Sequence, residues 1–379
     1  MKAKLLFLIA AIACLSSCDE FWGNLAFGIH DTGWEILGEP AASDGESESY
    51  YLEITDEDEI FIAYRQSIYS ETGPSSNYLY VKRLEGNSWV QAGPVIELPG
   101  IPDYAFCLDG NGDPVFAYTS DSIGGFRCER CVDGQWQQVG DLIVYKGNPC
   151  SLVLGPTGTL YLAYQDDDDE NRIKALAFEA GAWSELDPAF PLPAEGMNMC
   201  LTAADDGSLY LGVNGEVTST LSIYRCSGNP KLWSLFKENI STGSAYDISL
   251  SPGAAADSIY ALYSDGGVGD GVVYAKYFNG AAWVDLSEGM TDGESEPGEI
   301  ALDSAGVPLV VYTDFEVNNE LNVMRYSAGA WAPVGEKGFT YGDVAQFSRI
   351  RLMSDGTPVV AYSAIGHNHF LTVMRYAGG

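Results

Sequence analysis

An all-β fold is what this sequence predicts, on three observations: tryptophans that recur at a near-constant interval, an apolar run that recurs with them, and a last repeat that breaks off one strand short. The tryptophans are Trp89, Trp136, Trp183, Trp233, Trp283 and Trp331, most with a glycine two or three residues before them. Their spacing of roughly 47–50 residues is the length of one four-stranded propeller blade. The second landmark ends in Ala-Tyr or a near relative: Ile60–Tyr64, Pro114–Tyr118, Leu160–Tyr164, Leu209–Val213, Ile259–Tyr263, Pro308–Tyr312 and Pro358–Tyr362. Seven such runs predict seven blades.

The turns before these runs, such as Asp303–Gly306 and Asp355-Gly356, use the Asp, Ser and Gly that tight turns require. A third strand follows, for example Leu321–Tyr326, and then the tryptophan strand. The runs are almost continuously apolar, as expected of sheets covered on both faces. No segment sustains a helical period, which excludes βαβ architectures. The Gly-x-Trp elements begin the outer strands, where the rings are expected to pack between blades.

The chain ends at Val373–Gly379, where another tryptophan strand is due. That strand stands at the other end: Thr32–Gly38, with Trp34, matches Gln135–Gly140 and Ala330–Gly335. The N-terminal strand is therefore predicted to complete the C-terminal blade, leaving no open sheet edge. A β-helix or a string of small sandwiches gives no reason for a repeat permuted by one strand. The predicted domain is a seven-bladed β-propeller over residues 33–379. Its closure resembles that of WD40 and kelch propellers, in that feature only, because no Gly-His…Trp-Asp pairs recur. Fold does not settle function.

The first residues follow a different logic. Lys2 and Lys4 precede an apolar run, Leu5–Leu15, of signal-peptide length and too short to span a bilayer. The run leads into Leu15-Ser16-Ser17-Cys18, which resembles the lipobox of bacterial lipoproteins. The resemblance implies a signal peptide over 1–17, lipidation at Cys18, and a tether over 18–32 that holds the propeller on the extracytoplasmic side of a bacterial envelope. Asp19 resembles an inner-membrane retention signal of enterobacteria-like sorting, which leaves the choice of membrane open. Fully extended, the tether reaches at most about 50 Å.

Composition narrows the partners. Apolar residues make up 46% and aromatics 12%, enough for a large core. With 19 basic and 53 acidic residues the net charge is −34, a field that repels phosphate backbones and excludes nucleic acid as a partner. Cations, basic proteins and neutral glycans remain.

Outside the leader lie six thiols: Cys107, Cys128, Cys131, Cys150, Cys200 and Cys226. An oxidising compartment permits disulfides among them. Cys128-x-x-Cys131 falls in a strand-like segment with no second pair, so structural thiols are expected there.

The loops joining second to third strands vary most, and in propellers such loops, with the inter-blade loops, usually line one functional face. Several carry acid just after the tyrosine: Asp121, Asp166, Asp265 and Asp314. Asp166, Asp167, Asp168 and Asp169, followed by Glu170, form the densest cluster. Carboxylates of this kind are candidate Ca²⁺ ligands, set against a solvated loop on an acidic protein. His367 and His369 are the only close histidine pair and the other metal candidates; His30 is the third histidine. Asp109–Asp113 has part of a calcium-loop pattern, but Ser120 stands where the closing glutamate belongs, so a plain turn is expected.

No catalytic constellation emerges. Two carboxylates are trivially available to a glycosidase in so acidic a chain, and sialidase-like Asp-boxes are absent. The reading is a non-catalytic binding module for a glycan or a protein at the envelope. The alternatives are a scaffold for an envelope complex and, with less support, a glycan-active hydrolase or lyase.

Overall fold

The computed structural model describes residues 32–378 except 40, 48, 69–75, 100–102, 121–124, 142, 144–146, 195–198, 215–218, 268–270, 317–318, 341–344 and 365–368. Among the described residues there are 29 strands and no helix, and therefore no helix long and apolar enough to cross a membrane. The strands form seven antiparallel sheets, one per blade. From blade 1 to blade 7 the inner strands are Ser49–Ile54, Tyr104–Leu108, Gly147–Leu154, Met199–Ala203, Ala245–Pro252, Ser295–Leu302 and Ala345–Leu352. Each packs against the inner strands of its two neighbours, so the seven ring an axial channel. Blade 1 adds a short fifth strand, Ile96–Pro99, along Ser76–Leu79.

The predicted closure is present. Trp34–Ile36 pairs with the last strand, Phe370–Tyr376, in the register Trp34 to Tyr376 and Ile36 to Met374. Blade 7 is thus assembled from both ends of the chain and has four strands, as most of the other blades do.

The core lies between blades. The second strands that read as continuous apolar runs are buried throughout, as in Leu160–Tyr164 and Pro358–Ala364. One face of each packs on the blade before it and the other on the blade after it. Leu309 and Val311 of blade 6, for instance, meet Ile350, Val360 and Tyr362 of blade 7 in one cluster that also holds Trp34.

The tryptophans fasten neighbouring blades. Trp136 Nε1 donates to the Pro94 carbonyl at 2.6 Å, Trp183 to Val139 at 2.8 Å, Trp34 to Val334 at 2.9 Å and Trp89 to Leu37 at 3.0 Å. Each acceptor lies just beyond the tryptophan of the preceding blade. Such a bond contributes about 1 kcal/mol, and the covered ring contributes more. The close approach needs glycine beneath the ring: Gly335 sits at φ +78°, and a Cβ there would lie 2.8 Å from Trp34 Nε1. At the seam Trp34 also stacks on Phe339, with ring centroids 4.4 Å apart.

Arginines close the first hairpins. Asp109 Oδ1 accepts the N–H groups of Asn111 and Asp113 at 2.8 and 3.0 Å, and Arg130 of the third strand meets its other oxygen at 2.9 Å. Asp303 does the same with Ala305, Val307 and Arg325. The calcium-like Asp109–Asp113 segment is thus the plain turn its sequence suggested.

Candidate functional site

The two ends of the channel differ. One end carries the tight turns between first and second strands and between third and fourth; the other carries the longer loops between second and third strands. Residues 121–124, 215–218, 268–270 and 365–368 of those loops lie outside the described residues, and with them Asp121 and His367. Thr32 is at the turn-bearing end, because Trp34 pairs with Tyr376 at the finish of the last strand. The chain therefore enters the ring opposite the loops.

Within the described loops the acids serve the backbone. Asp265 is buried; its carboxylate accepts the N–H groups of Thr242, Gly243 and Gly267 at 2.7, 2.8 and 3.0 Å and the Thr242 hydroxyl at 3.0 Å. Burial pushes this carboxyl up, but those bonds outweigh it and hold it below the usual carboxylate range. Asp314 accepts the Glu316 N–H at 3.0 Å. Asp166 accepts the Asp168 N–H at 3.0 Å and pairs with Lys174 at 2.7 Å, and Asp169 meets the same ammonium at 3.3 Å. Asp167 and Asp168 are exposed. The dense cluster thus gathers around a lysine, which supplies the positive charge its two innermost carboxylates need. His369 lies where its backbone N–H donates to Ala364 and its carbonyl accepts from Ser47. Among the described residues no three His, Cys, Asp or Glu side chains converge as a metal-binding group.

The thiols are structural in placement. Cys107, Cys128, Cys131, Cys200 and Cys226 are free. Cys128 packs in the core between blades 2 and 3, while Cys131, on the opposite face of the strand, approaches the Ala92 carbonyl of blade 1 at 3.5 Å. Burial pushes the Cys200 thiol up to about 11, against the thiolate character redox chemistry requires. The side chain of Cys150 lies outside the described residues.

The channel wall holds the chemistry that sequence reading missed. Arg351 of blade 7 makes a two-pronged pair with Glu53 of blade 1, at 2.8 and 3.1 Å, and reaches Glu299 of blade 6 at 2.6 Å. Arg349 sits 3.6 Å from Glu299 and 3.4 Å from the Tyr50 carbonyl. Glu299 also accepts the Ile350 N–H at 3.2 Å. This belt ties three blades across the seam and leaves its carboxylates paired. On its turn-bearing side a cavity of about 500 Å³ is lined by Glu53, Glu57, Cys107, Asp109, Asn111 and Arg351.

On its loop-bearing side two carboxylates are shifted upward despite the nearby Arg349. Asp247 of blade 5 and Glu296 of blade 6 are raised above the usual carboxylate value, chiefly by partial desolvation among their neighbours, although Asp247 keeps an exposed side chain. Each lies on an inner strand beside a β-bulge, between Tyr246 and Ser249 and between Pro297 and Ile300. The matching bulge of blade 7 holds Phe347, half exposed. The missed signal was comparison of the inner strands with one another: Glu299-Ile-Ala and Arg349-Ile-Arg351 stand where other blades carry small or apolar residues such as Ser151-Leu-Val.

No family model matches the sequence, and no curated protein does. Solved structures do resemble the ring. The extracellular domain of a hybrid two-component system from B. thetaiotaomicron superposes with TM-score 0.56 at 11% identity, over 90% of this chain and 39% of that one. The β-propeller domain of the Trilobed protease from Pyrococcus furiosus gives TM-score 0.55 at 12% identity, over 87% of this chain and 96% of that one. A protein of unknown function from Dyadobacter fermentans gives 0.50 at 11%, over 90% and 98%. The chain thus spans well under half of the first of these. At such identities the shared property is the propeller fold. The Pyrococcus domain is described as having an open velcro topology, whereas blade 7 here is closed by Trp34–Ile36.

Proposed function

We propose that this protein is an exported lipoprotein, tethered to the bacterial envelope through Cys18, whose propeller acts as a non-catalytic binding module for a glycan or protein at the loop-bearing end. The lipobox-like Leu15-Ser16-Ser17-Cys18 and the apolar Leu5–Leu15 support export and tethering. The observation that carries the binding reading is the point of entry into the ring. Thr32 lies at the turn-bearing end, so a short tether holds that end toward the lipid and turns the variable loops outward. A rigid scaffold with variable loops on its free face is a recurrent basis for recognition.

Two measurements test this. Wild-type protein should partition into detergent and carry lipid, and Cys18→Ser should abolish both. The Cys18→Ser protein should then give saturable binding on a glycan array, tested with and without Ca²⁺, or a reproducible protein partner on cross-linking in the native envelope. Calcium dependence would assign a metal role to the Asp166–Asp169 loop. Folded protein that yields neither ligand overturns the binding module, and lipid-free wild type overturns the tether.

A further inference from the structure

Blade 3 departs from the repeat at its outer edge. In blade 2 the chain leaves the fourth strand where Val139 N–H donates to the Cys128 carbonyl, and it rejoins the third strand at Ile143, which exchanges both backbone bonds with Phe126. In blade 3 Leu186 makes the same departure, its N–H donating to Ala175 at 2.8 Å. The return comes only at Pro193, whose carbonyl accepts from Ile173 at 2.9 Å. The path from Leu186 to Pro193 is three residues longer than that from Val139 to Ile143, and residues 187–192 arch away from the strand. The arch is held in shape. Arg172 donates to the Leu192 carbonyl at 3.1 Å, Phe190 N–H donates to the Asp187 carbonyl at 3.0 Å, and Pro188, Pro191 and Pro193 lock their φ angles. Between arch and strand, at the loop-bearing end, lies a cavity of about 290 Å³ whose lining includes Asp169, Arg172, Lys174, Glu185, Pro188 and Phe190. The seam to blade 4 has also lost its indole bond. Trp233 Nε1 is buried without a hydrogen-bond partner among the described residues, whereas Trp183 donates to Val139 at the seam before. Fastening of the blades therefore does not account for the arch.

We propose that the cavity under this arch is the ligand pocket of the loop-bearing end and takes one neutral pyranose ring of a glycan. The inference rests on the binding-module reading and chooses between its two ligand classes. Charge decides against ions. Asp169 lies 3.3 Å from Lys174 and 3.5 Å from Arg172, and Asp166 holds Lys174 at 2.7 Å. The two cations are thereby neutralised toward an anion, and the two aspartates toward a metal ion. The net charge of −34 further repels anionic sugars. Asp169 and Glu185 offer carboxylate oxygens and Arg172 offers guanidinium N–H groups, each side chain able to take more than one hydrogen bond. Donors and acceptors set side by side suit adjacent sugar hydroxyls, which both donate and accept. Pro188 and Phe190 supply apolar surface for the C–H face of the ring. The volume is at the small end of ligand pockets, sized for a single ring and too narrow for a folded surface. An arch already fixed by its prolines adds little ordering cost on binding.

The test is ligand-observed NMR of purified Cys18→Ser protein with methyl glycosides of neutral hexoses and N-acetylhexosamines, in EDTA, with the folding of every variant checked by thermal melting. One class of glycoside should bind saturably and one-to-one, with a dissociation constant on the order of 1 mM for a single ring. Asp169→Asn and Glu185→Gln should each weaken it about tenfold. Ala189→Trp fills the cavity from the exposed arch without touching a polar side chain and should abolish binding. Glu57→Gln, in the channel cavity at the other end, should change affinity less than about twofold. Equal loss in that control moves the ligand to the channel and overturns the arch pocket, as does unchanged binding by Ala189→Trp. Binding that appears only when Ca²⁺ replaces EDTA overturns the metal-free pocket. Preference for a sialylated or sulfated glycan overturns the neutral ring. A cross-linked protein partner with no glycoside bound overturns the pocket and leaves the binding module standing. Folded protein that takes neither overturns both.

Discussion

Asp265 and Asp247 belong to the same blade, on adjacent strands, and their surroundings push them in opposite directions. Asp265 is buried and accepts four hydrogen bonds, three from backbone N–H groups, so it is held ionised below its usual range. Asp247 is exposed on an inner strand, is raised by partial desolvation, and has the charge of Arg349 against that. The lesson is that acid content says little on this protein. An aspartate that closes a loop is spent on the backbone, and an aspartate left short of partners is the one available to a ligand.

The largest effect should come from removing the satisfied member. Asp265→Ala removes a buried carboxylate shared by three N–H groups and a hydroxyl of two loops, and should cost about 3 kcal/mol in urea unfolding. Asp265→Asn, which keeps one acceptor oxygen, should cost about half of that. A loss below about 1 kcal/mol for the alanine variant would sink the staple assignment.

The channel belt comes next, and it sharpens the contrast because its acids are satisfied by arginine. Arg351→Met leaves Glu53 and Glu299 facing each other without their shared cation, and should destabilise by about 2 kcal/mol, since the site is partly open to the channel. Adding Glu53→Gln and Glu299→Gln should recover most of the loss; additive losses instead would show that the belt does not act as a unit.

These contrasts also show what a sequence can and cannot disclose. The ring was legible because a blade repeats: Trp89 to Trp331 mark the period, and Trp34 betrays the strand that closes it. The loop acids were legible as residues but not as roles. Asp166 and Asp265 look alike in sequence, and both are spent, one on Lys174 and one on backbone N–H groups two residues or more than twenty residues away in the chain. Glu53, Glu299 and Arg351 are far apart in sequence and meet only because the ring returns upon itself. Phe347 reads as one more apolar residue of a strand; only the structure shows the bulge and the positive φ that leave it half exposed.

The pH dependence should separate the two kinds of acid. Asp265 has a folded value below its unfolded one, so its contribution is complete above the unfolded value near 4 and is lost as pH falls through the lower folded value. Asp247 and Glu296 have folded values above their unfolded ones, so the folded state holds their protons longer. Their contribution therefore favours folding at low pH and declines as pH rises from about 4 through the raised folded values. Thermal melts from pH 3 to 7 should show Asp265→Asn flattening the acid limb. Asp247→Asn with Glu296→Gln should flatten the decline above it, a difference of about 1 kcal/mol at most. Identical profiles for the two variants would remove the distinction.

The smallest effect is also the most telling in sign. Asp247→Asn removes a charge that burial disfavours and that Glu296 repels, while asparagine tolerates the left-handed backbone at this position. It should therefore raise stability at neutral pH, by about 0.5 kcal/mol after allowance for solvent in the channel. A gain in melting temperature is the signature of a charge that this end of the channel holds at the expense of stability. A loss would place Asp247 with Asp265, as one more aspartate that holds a loop.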